Sequence, residues 1–323
     1  MKLLVTGASG FIGTNYIEFY RQQYCEILNL DITEPMLVNH KEYWKKTDIM
    51  DLEALEKAFS EFTPTHVVHM AARAECDENT TVEEGYAVNT VGTENVLNAI
   101  KKTPTIERVI IVSTQYVAGP GRLPKNDEDY FPHTVYGQSK VITEELTRKA
   151  GLKCAWTLVR PTNIWGPWHM RYRREAWLVI KRGLYLHPGG KPVIRSYGYV
   201  GNIVWQMNRI FELPTDQVDG EVFYVGDRPI DIYEWVNGFS MQLRGQHARK
   251  VSRTILASIG VFGDLLTKMG SSFPLTSSRY RNMISDYLTP MDKTLDVLGE
   301  PPNSLNEGVR QSVDWLEQVG WEN

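Results

Sequence analysis

Lys2-Leu3-Leu4-Val5-Thr6-Gly7-Ala8-Ser9-Gly10-Phe11-Ile12-Gly13 joins a short apolar run to an amphipathic stretch through glycines at every third position. The apolar run reads as a buried strand and the stretch from about Phe11 to Gln23 as a helix. Glycine at that junction lets the backbone turn tightly. It also lets a pyrophosphate approach the helix N-terminus, whose unpaired N–H groups and dipole favour an anion. Residues Gly7, Gly10, Phe11, Ile12 and Gly13 are therefore the expected cradle of a dinucleotide, although an ordinary strand-to-helix turn has a similar look.

Outward from this junction, β-branched runs recur at Ile27–Asn29, Val67–His69, Val109–Val112 and Trp156–Val159. Between them lie helical patterns from Leu52 to Phe62, Thr80 to Lys101 and Thr134 to Ala150, with Asp51 placed to cap the first of these. Such alternation predicts parallel βαβ units, hence an α/β fold with a doubly wound parallel sheet of Rossmann type. The second strand ends at Asp31, at the distance where an acid meets the adenosine ribose hydroxyls and repels a 2′-phosphate. That favours NAD over NADP; a helix cap or a loop acid is the other reading.

After Arg160-Pro161 the composition shifts to aromatics and arginines, with turns at Gly166-Pro167 and Pro188-Gly189-Gly190. Residues 1–163 are thus expected to form the dinucleotide-binding domain, with return segments near 200–228: a helix over Gly201–Glu212 and a strand over Val222–Val225. Residues 164–199 and 229–323 then make a smaller C-terminal, substrate-binding lobe. Ser304-Leu305-Asn306-Glu307 reads as a capping box opening a final helix through Val319.

The 323 residues suffice for a full core, and the formal charge of −4, with acids and bases interspersed, offers no basic face for nucleic acid. A small-molecule partner is expected. Cys25, Cys76 and Cys154 are odd in number and lack metal or disulfide spacing, so they read as reduced, cytoplasmic thiols. The seven histidines show no ligand spacing, and no metal is expected. The N-terminus enters a strand at once, without a secretory leader pattern. The longest apolar-leaning stretch, Thr254 to Leu266, is too short to span a bilayer and is broken by Gly260, Gly263 and Asp264. It reads as a packed helix or dimer contact, with an interfacial anchor as the alternative.

Chemistry concentrates at Tyr136-Gly137-Gln138-Ser139-Lys140, which sets a phenol and an ammonium one turn apart on one helix face. A fixed cation beside a tyrosine favours the phenolate and brings its pKa toward working pH, which makes a general acid/base for a hydroxyl. The spacing alone arises about once by chance in a chain with this Tyr and Lys content. Its surroundings decide.

Those surroundings resemble the extended short-chain dehydrogenase/reductase superfamily, specifically its nucleotide-sugar epimerases and dehydratases, over nearly the whole chain. The similarity is carried by Thr6-Gly7-x-x-Gly10-x-x-Gly13, Asp48-Ile49, His69-Met70-Ala71-Ala72, Val88-Asn89-x-x-Gly92-Thr93-x-Asn95, Val112-Ser113-Thr114 and Tyr136-Gly137-x-Ser139-Lys140. The resemblance implies NAD as cofactor, with Asp48 and Ile49 at the adenine and Ala71 and Ala72 beside the dinucleotide. It implies that Tyr136 exchanges the substrate hydroxyl proton, that Lys140 holds the nicotinamide ribose, and that Thr114 hydrogen-bonds the reacting oxygen. Arg160-Pro161-Thr162-Asn163-Ile164-Trp165-Gly166-Pro167 and the segment Arg195 to Asn202 resemble family segments that place Asn163 on the substrate and Arg195 on a nucleotide diphosphate. Trp165, Ser196 and Asn202 depart from the usual residues there, which weakens transfer of any particular sugar. Arg171, Arg173 and Arg174 read as further phosphate contacts or as a solvated charge run. The family usually dimerises through the helices corresponding to Thr80–Lys101 and Thr134–Ala150, so a homodimer is expected.

In the family's dehydratases an acid pair follows the catalytic threonine; here Thr114 is followed by neutral Gln115 and Tyr116. The expectation is an NAD-dependent nucleotide-sugar 4-epimerase that oxidises C4 transiently. An oxidoreductase acting on a keto-sugar or an alcohol uses the same residues, and a non-catalytic NAD-sensing protein would share the fold.

Overall fold

Valine and isoleucine runs buried on both faces are what a parallel sheet covered by helices requires. The computed structural model, which describes residues 1–270, 273 and 275–321, contains that sheet. Strands β1 (Lys2–Thr6), β2 (Glu26–Asp31), β3 (Trp44–Lys46), β4 (His66–His69), β5 (Arg108–Val112), β6 (Ala155–Pro161) and β7 (Val222–Val225) are all parallel, in the order β7-β6-β5-β4-β1-β2-β3. The chain starts at the centre, winds out to β3, then returns to β4 on the other side of β1. The strand order reverses between β1 and β4, and a crevice opens at their carboxyl ends.

The intervening helices are α1 (Phe11–Tyr20), α2 (Leu52–Phe62), α3 (Ala87–Lys101), α4 (Val135–Lys149) and α5 (Val200–Glu212). Tyr16, Ile17, Val204 and Met207 of α1 and α5 pack on one face of the sheet, with Leu55, Phe59, Val96 and Leu97 of α2 and α3 on the other. Asp51 accepts a hydrogen bond from Ala54 N at the start of α2, and Thr134 accepts one from Gly137 N at the start of α4. The helix expected over Thr80–Lys101 is interrupted. A short helix, Val82–Gly85, stops at Tyr86, whose buried hydroxyl donates to Glu75 O at 2.6 Å and accepts from Asp77 N. Seating that ring turns the chain before α3 begins.

Beyond the sheet, short strands pair as Asn163–Trp165 with Tyr197–Tyr199, Ile194–Arg195 with Ile230–Asp231, and Leu186–Pro188 with Arg249–Val251. Helices α6 (Ile232–Arg244), α7 (Arg253–Lys268), α8 (Ser277–Ile284), α9 (Asp292–Leu298) and α10 (Leu305–Val319) complete the chain, α10 opening on the Ser304–Glu307 capping box. Helix α7 corrects the packed-helix reading of Thr254–Leu266. Its buried residues are Leu256, Gly260 and Gly263, while Phe262 and Leu265 are more than half exposed.

One polar cluster fixes the helix that carries Tyr136 and Lys140. The fully buried Glu144 of α4 accepts from Arg160 Nε of β6 at 2.8 Å, Arg160 Nη2 at 2.7 Å, Ser113 Oγ at 2.6 Å and the Tyr130 hydroxyl at 2.9 Å. Arg160 in turn donates to the hydroxyl of Tyr224 in β7 at 3.0 Å. Glu144→Ala strands a buried guanidinium and should lower unfolding free energy by about 3–5 kcal/mol in urea titrations. The double variant with Arg160→Met should recover part of that loss. Equal losses in the single and double variants would show that the cost lies in packing rather than in the stranded charge.

Candidate active site

At the carboxyl ends of β1, β2, β4, β5 and β6 lies a cleft of about 840 Å³, lined by the residues expected to act or to hold cofactor and substrate, though not by Arg173 or Arg174. Gly7, Gly10, Phe11, Ile12 and Gly13 form its floor, Asp31, Asp48 and Ile49 one end, and Ala71 and Ala72 the wall after β4. Thr114 follows the end of β5, Tyr136 and Lys140 lie on α4, and Asn163 and Arg195 come from the segments after β6.

Close approach explains the glycines. Gly7 has φ +78°, and a Cβ there would lie 2.5 Å from Ala71 N, so the turns after β1 and β4 touch. A Cβ on Gly13 would lie 2.3 Å from Ala8 Cα, which sets α1 hard against the loop. Gly10 is the N-cap of α1, offers no side chain to the first-turn amides, and has no acid following it in that turn. The helix N-terminus is therefore open to an anion. Asp31 Oδ2 accepts from Ser9 N at 3.0 Å while Oδ1 accepts from Thr33 N and Thr33 Oγ1, so the carboxylate is fixed at the cleft's end. An uncapped helix end, a glycine floor and an oriented carboxylate fit a dinucleotide's diphosphate and ribose.

Tyr136 is 8 % exposed. Burial pushes the phenol well above its ordinary range, and the neighbouring Thr114 hydroxyl opposes this only in part. Lys140, 2 % exposed, is pulled by the same burial down to about 8, with the Glu144 carboxylate working against the drop. Its ammonium has no hydrogen-bond or ion-pair partner among the described residues. The expected lowering by the fixed cation is not seen in the protein alone, where burial is the largest influence on the phenol and raises it.

Asn89 lies outside the cleft lining. Its amide bridges Arg73 N, Arg73 O and Ser139 Oγ at 2.8–3.0 Å, strapping α3 to α4. The arginine run divides: Arg171 reaches the cleft and pairs with Glu175 at 3.0 Å, Arg173 is buried with its guanidinium on Gly320 O, and Arg174 is exposed. Arg195 lines the cleft while donating to Ser285 O at 3.1 Å and to Asn282 O. Asn163 accepts from the Tyr116 hydroxyl at 3.4 Å.

The structure adds two residues. His169 stacks on Tyr172 at 4.2 Å and meets Phe11 edge-on at 4.6 Å; burial holds its imidazole down to about 4, hence neutral. The turn that delivers it runs from the expected Gly166-Pro167 through Trp168 at φ +69°; the sequence signals the turn but not that it carries His169 into the cleft. Gln115 is 1 % exposed, and neither atom of its side-chain amide has a hydrogen-bond partner among the described residues. The hydrogen-bonding capacity of this buried amide in the cleft wall is unmet by the protein. Its neutrality was legible in the sequence, whereas its missing partners were not.

The model described as the NAD dependent epimerase/dehydratase family matches residues 3–226. Among curated relatives, N-acetyl-alpha-D-glucosaminyl-diphospho-ditrans,octacis-undecaprenol 4-epimerase of Escherichia coli O157:H7 is 28% identical, over 97% of this chain and 95% of its own. GDP-6-deoxy-D-talose 4-dehydrogenase of Aggregatibacter actinomycetemcomitans is 31% identical over 51% of this chain and 54% of its own. The solved structure of UDP-glucose 4-epimerase from Thermotoga maritima with UDP-glucose has a TM-score of 0.72 at 23% identity, covering 99% of both chains, a likeness of fold.

The depressed Lys140 links pH to stability. Folded, it loses its proton near 8; unfolded, near 10.5. Between those values the unfolded chain holds the extra proton, so stability rises with pH, and below about 8 the buried charge is a cost. Lys140→Met should therefore stabilise the cofactor-free protein by up to about 3 kcal/mol at pH 7, the gain shrinking to nothing toward pH ~10.5. Urea titrations of both proteins across that range measure it, and a pH-independent difference contradicts it.

Proposed function

Because the chain belongs to the NAD-dependent epimerase/dehydratase family, we propose that it is a 4-epimerase of diphosphate-linked sugars, in the first place nucleotide sugars. The observation that carries this reading is the trio Thr114, Tyr136 and Lys140 gathered in one cleft with the neutral Gln115, and no acid, next to Thr114. Dehydration needs a group beside the threonine that protonates a leaving hydroxyl, and a carboxamide does not supply that proton.

Gly7–Gly13, Asp31, Asp48, Ile49, Ala71 and Ala72 hold NAD in this reading, with Tyr136 and Lys140 at its nicotinamide end. When bound, NAD supplies reversible acceptance of a hydride from the sugar carbon. The chain's own residues handle the proton and the geometry. Thr114 donates to the reacting oxygen. Tyr136 takes the C4 hydroxyl proton as that carbon is oxidised and returns it when the ketone is reduced on its other face. Lys140, one turn along the same face and otherwise unpartnered, stabilises the phenolate while Tyr136 is deprotonated. The raised phenol suits the returning step, in which Tyr136 must be the acid. Asn163 and Arg195 hold the sugar and the diphosphate, Arg195 through a charge-assisted contact. The unpartnered Gln115 amide bonds a sugar hydroxyl, and it orients the ring without chemistry of its own.

An oxidoreductase remains the second reading, on the strength of the Aggregatibacter dehydrogenase over half the chain. We further propose a homodimer through the α3 and α4 faces, where Val91 is exposed, and a cytoplasmic site of action, in keeping with three unpaired cysteines.

Purified protein supplied with UDP-sugar C4 epimer pairs, and with the same sugars on a polyprenyl diphosphate as in the Escherichia coli relative, should interconvert one pair without net NADH formation. Stoichiometric change in NADH with a keto-sugar or alcohol instead establishes the oxidoreductase. Tyr136→Phe should lower turnover at least ~10²-fold, the contribution of a positioned acid/base, while cofactor binding measured by fluorescence is kept. Near-normal turnover in that variant removes Tyr136 from the mechanism.

A further inference from the structure

Helix α7 turns its large apolar side chains to solvent. Ile255, Val261, Phe262, Leu265 and Met269 are 53, 64, 54, 55 and 73 % exposed. At 3.6 residues per turn they share one stripe, roughly 120° of arc, with Thr254 and Ser258 its polar members. The opposite face does the packing, through Leu256, Gly260 and Gly263. A Cβ on Gly263 would lie 2.0 Å from Leu275 O, and one on Gly260 3.2 Å from Ser277 N. The glycines bring the chain entering α8 against the helix backbone, so the bulky residues are left outside. Phe262 meets Phe273 edge-on at 6.1 Å at one end of this stripe.

Charge in the sequence that carries the stripe is nearly all of one sign. From Arg244 to Arg281 the sequence carries Arg244, Arg249, Lys250, Arg253, Lys268, Arg279 and Arg281 against the single acid Asp264, in a chain whose net charge is −4. Arg249, Lys250, Lys268 and Arg281 are exposed. Asp264 is engaged inward, accepting from Ser277 N at 3.1 Å. An outward apolar stripe bordered by lysine and arginine is the pattern of a helix lying in a membrane interface. A second copy of this chain fits less well, since two-fold pairing sets the same excess of positive charge against itself. At 16 residues, α7 is about 24 Å long by its rise per residue, and no described helix is long and apolar enough to cross a membrane. It lies on a surface.

The patch is continuous with the cleft. Arg195 donates to the carbonyls of Asn282 and Ser285 around the end of α8, Ile194 N donates to Asp286 Oδ1 at 2.8 Å, and Ser196 N donates to Tyr287 O at 2.9 Å. The segment that leaves the α7–α8 pair thus forms the wall in which Arg195 sits.

We propose that the apolar stripe of α7 and its basic borders dock this protein on the surface of a bilayer containing anionic lipid, with the Arg195 side of the cleft next to the membrane. The docking stands on the surface alone and does not depend on which reaction the cleft performs.

Flotation of the full-length protein with phosphatidylcholine vesicles, with and without phosphatidylglycerol, tests this. The protein should float with anionic vesicles, at least ~10-fold more than with neutral ones, and high salt should weaken the binding. Phe262→Asp with Leu265→Asp should abolish flotation, and Arg249→Glu with Lys250→Glu should remove its dependence on anionic lipid. Retained NAD binding and an unchanged melting temperature show that these surface variants are folded. Wild-type protein that floats with neither vesicle overturns the proposal. So does a wild-type oligomer that Phe262→Asp with Leu265→Asp dissociates, since the stripe is then an interface between copies.

Discussion

A carboxylate and a guanidinium buried together hold the active half of this molecule in register. Glu144 and Arg160 are both essentially without solvent contact, and between them they bind α4, the end of β5, β6 and β7. Such a pair contributes little net stability over an apolar substitute, but each member makes the other indispensable. Its value is positional. Ser113, which donates to Glu144, precedes Thr114, and Glu144 follows Lys140 by one helical turn. The residues that converge on the cleft are therefore braced from beneath by one polar cluster, and the strand-end hydroxyl and the helical phenol share a frame.

That bracing has an electrostatic counterpart in the cleft. Burial raises the Tyr136 phenol and lowers the Lys140 ammonium, so each is held away from its charged form. A site built this way is costly to the cofactor-free protein. The open N-terminus of α1, the Lys140 ammonium and the Gln115 amide are all left without partners among the described residues. In the proposed function these are the positions that recognise ligand, and giving up stability there is a common trade at functional sites.

Much of this was legible in the sequence because the features are local. Gly7, Gly10 and Gly13 between a strand and a helix, Asp51 and Ser304 as caps, and the four-residue separation of Tyr136 and Lys140 all depend on neighbours along the chain. Tyr86 was not legible: the helix breaks there because a ring is drawn into the core by partners at Glu75 and Asp77, and periodicity continues across the break. His169 reaches the cleft only through the turn at Trp168. Direction defeated the reading of α7, since spacing reveals that a helix has an apolar face but not which way it points; close-packed Gly260 and Gly263 decide that. The pKa of Tyr136 escaped for a similar reason, because sequence supplies the neighbouring cation and hides the depth of burial.

The position of β7 bears on how the chain is made. β6 emerges from the ribosome as an unfinished edge, with residues 162–221 still to come before Val222–Val225 can pair with it. Until then its outer backbone groups are open to any other strand, and Arg160 lacks Tyr224. Folding of the nascent dinucleotide-binding core therefore outruns its own closure. Chains stalled or cleaved between β6 and β7 are the species from which aggregation would start, and a chaperone would find its natural target along that exposed edge.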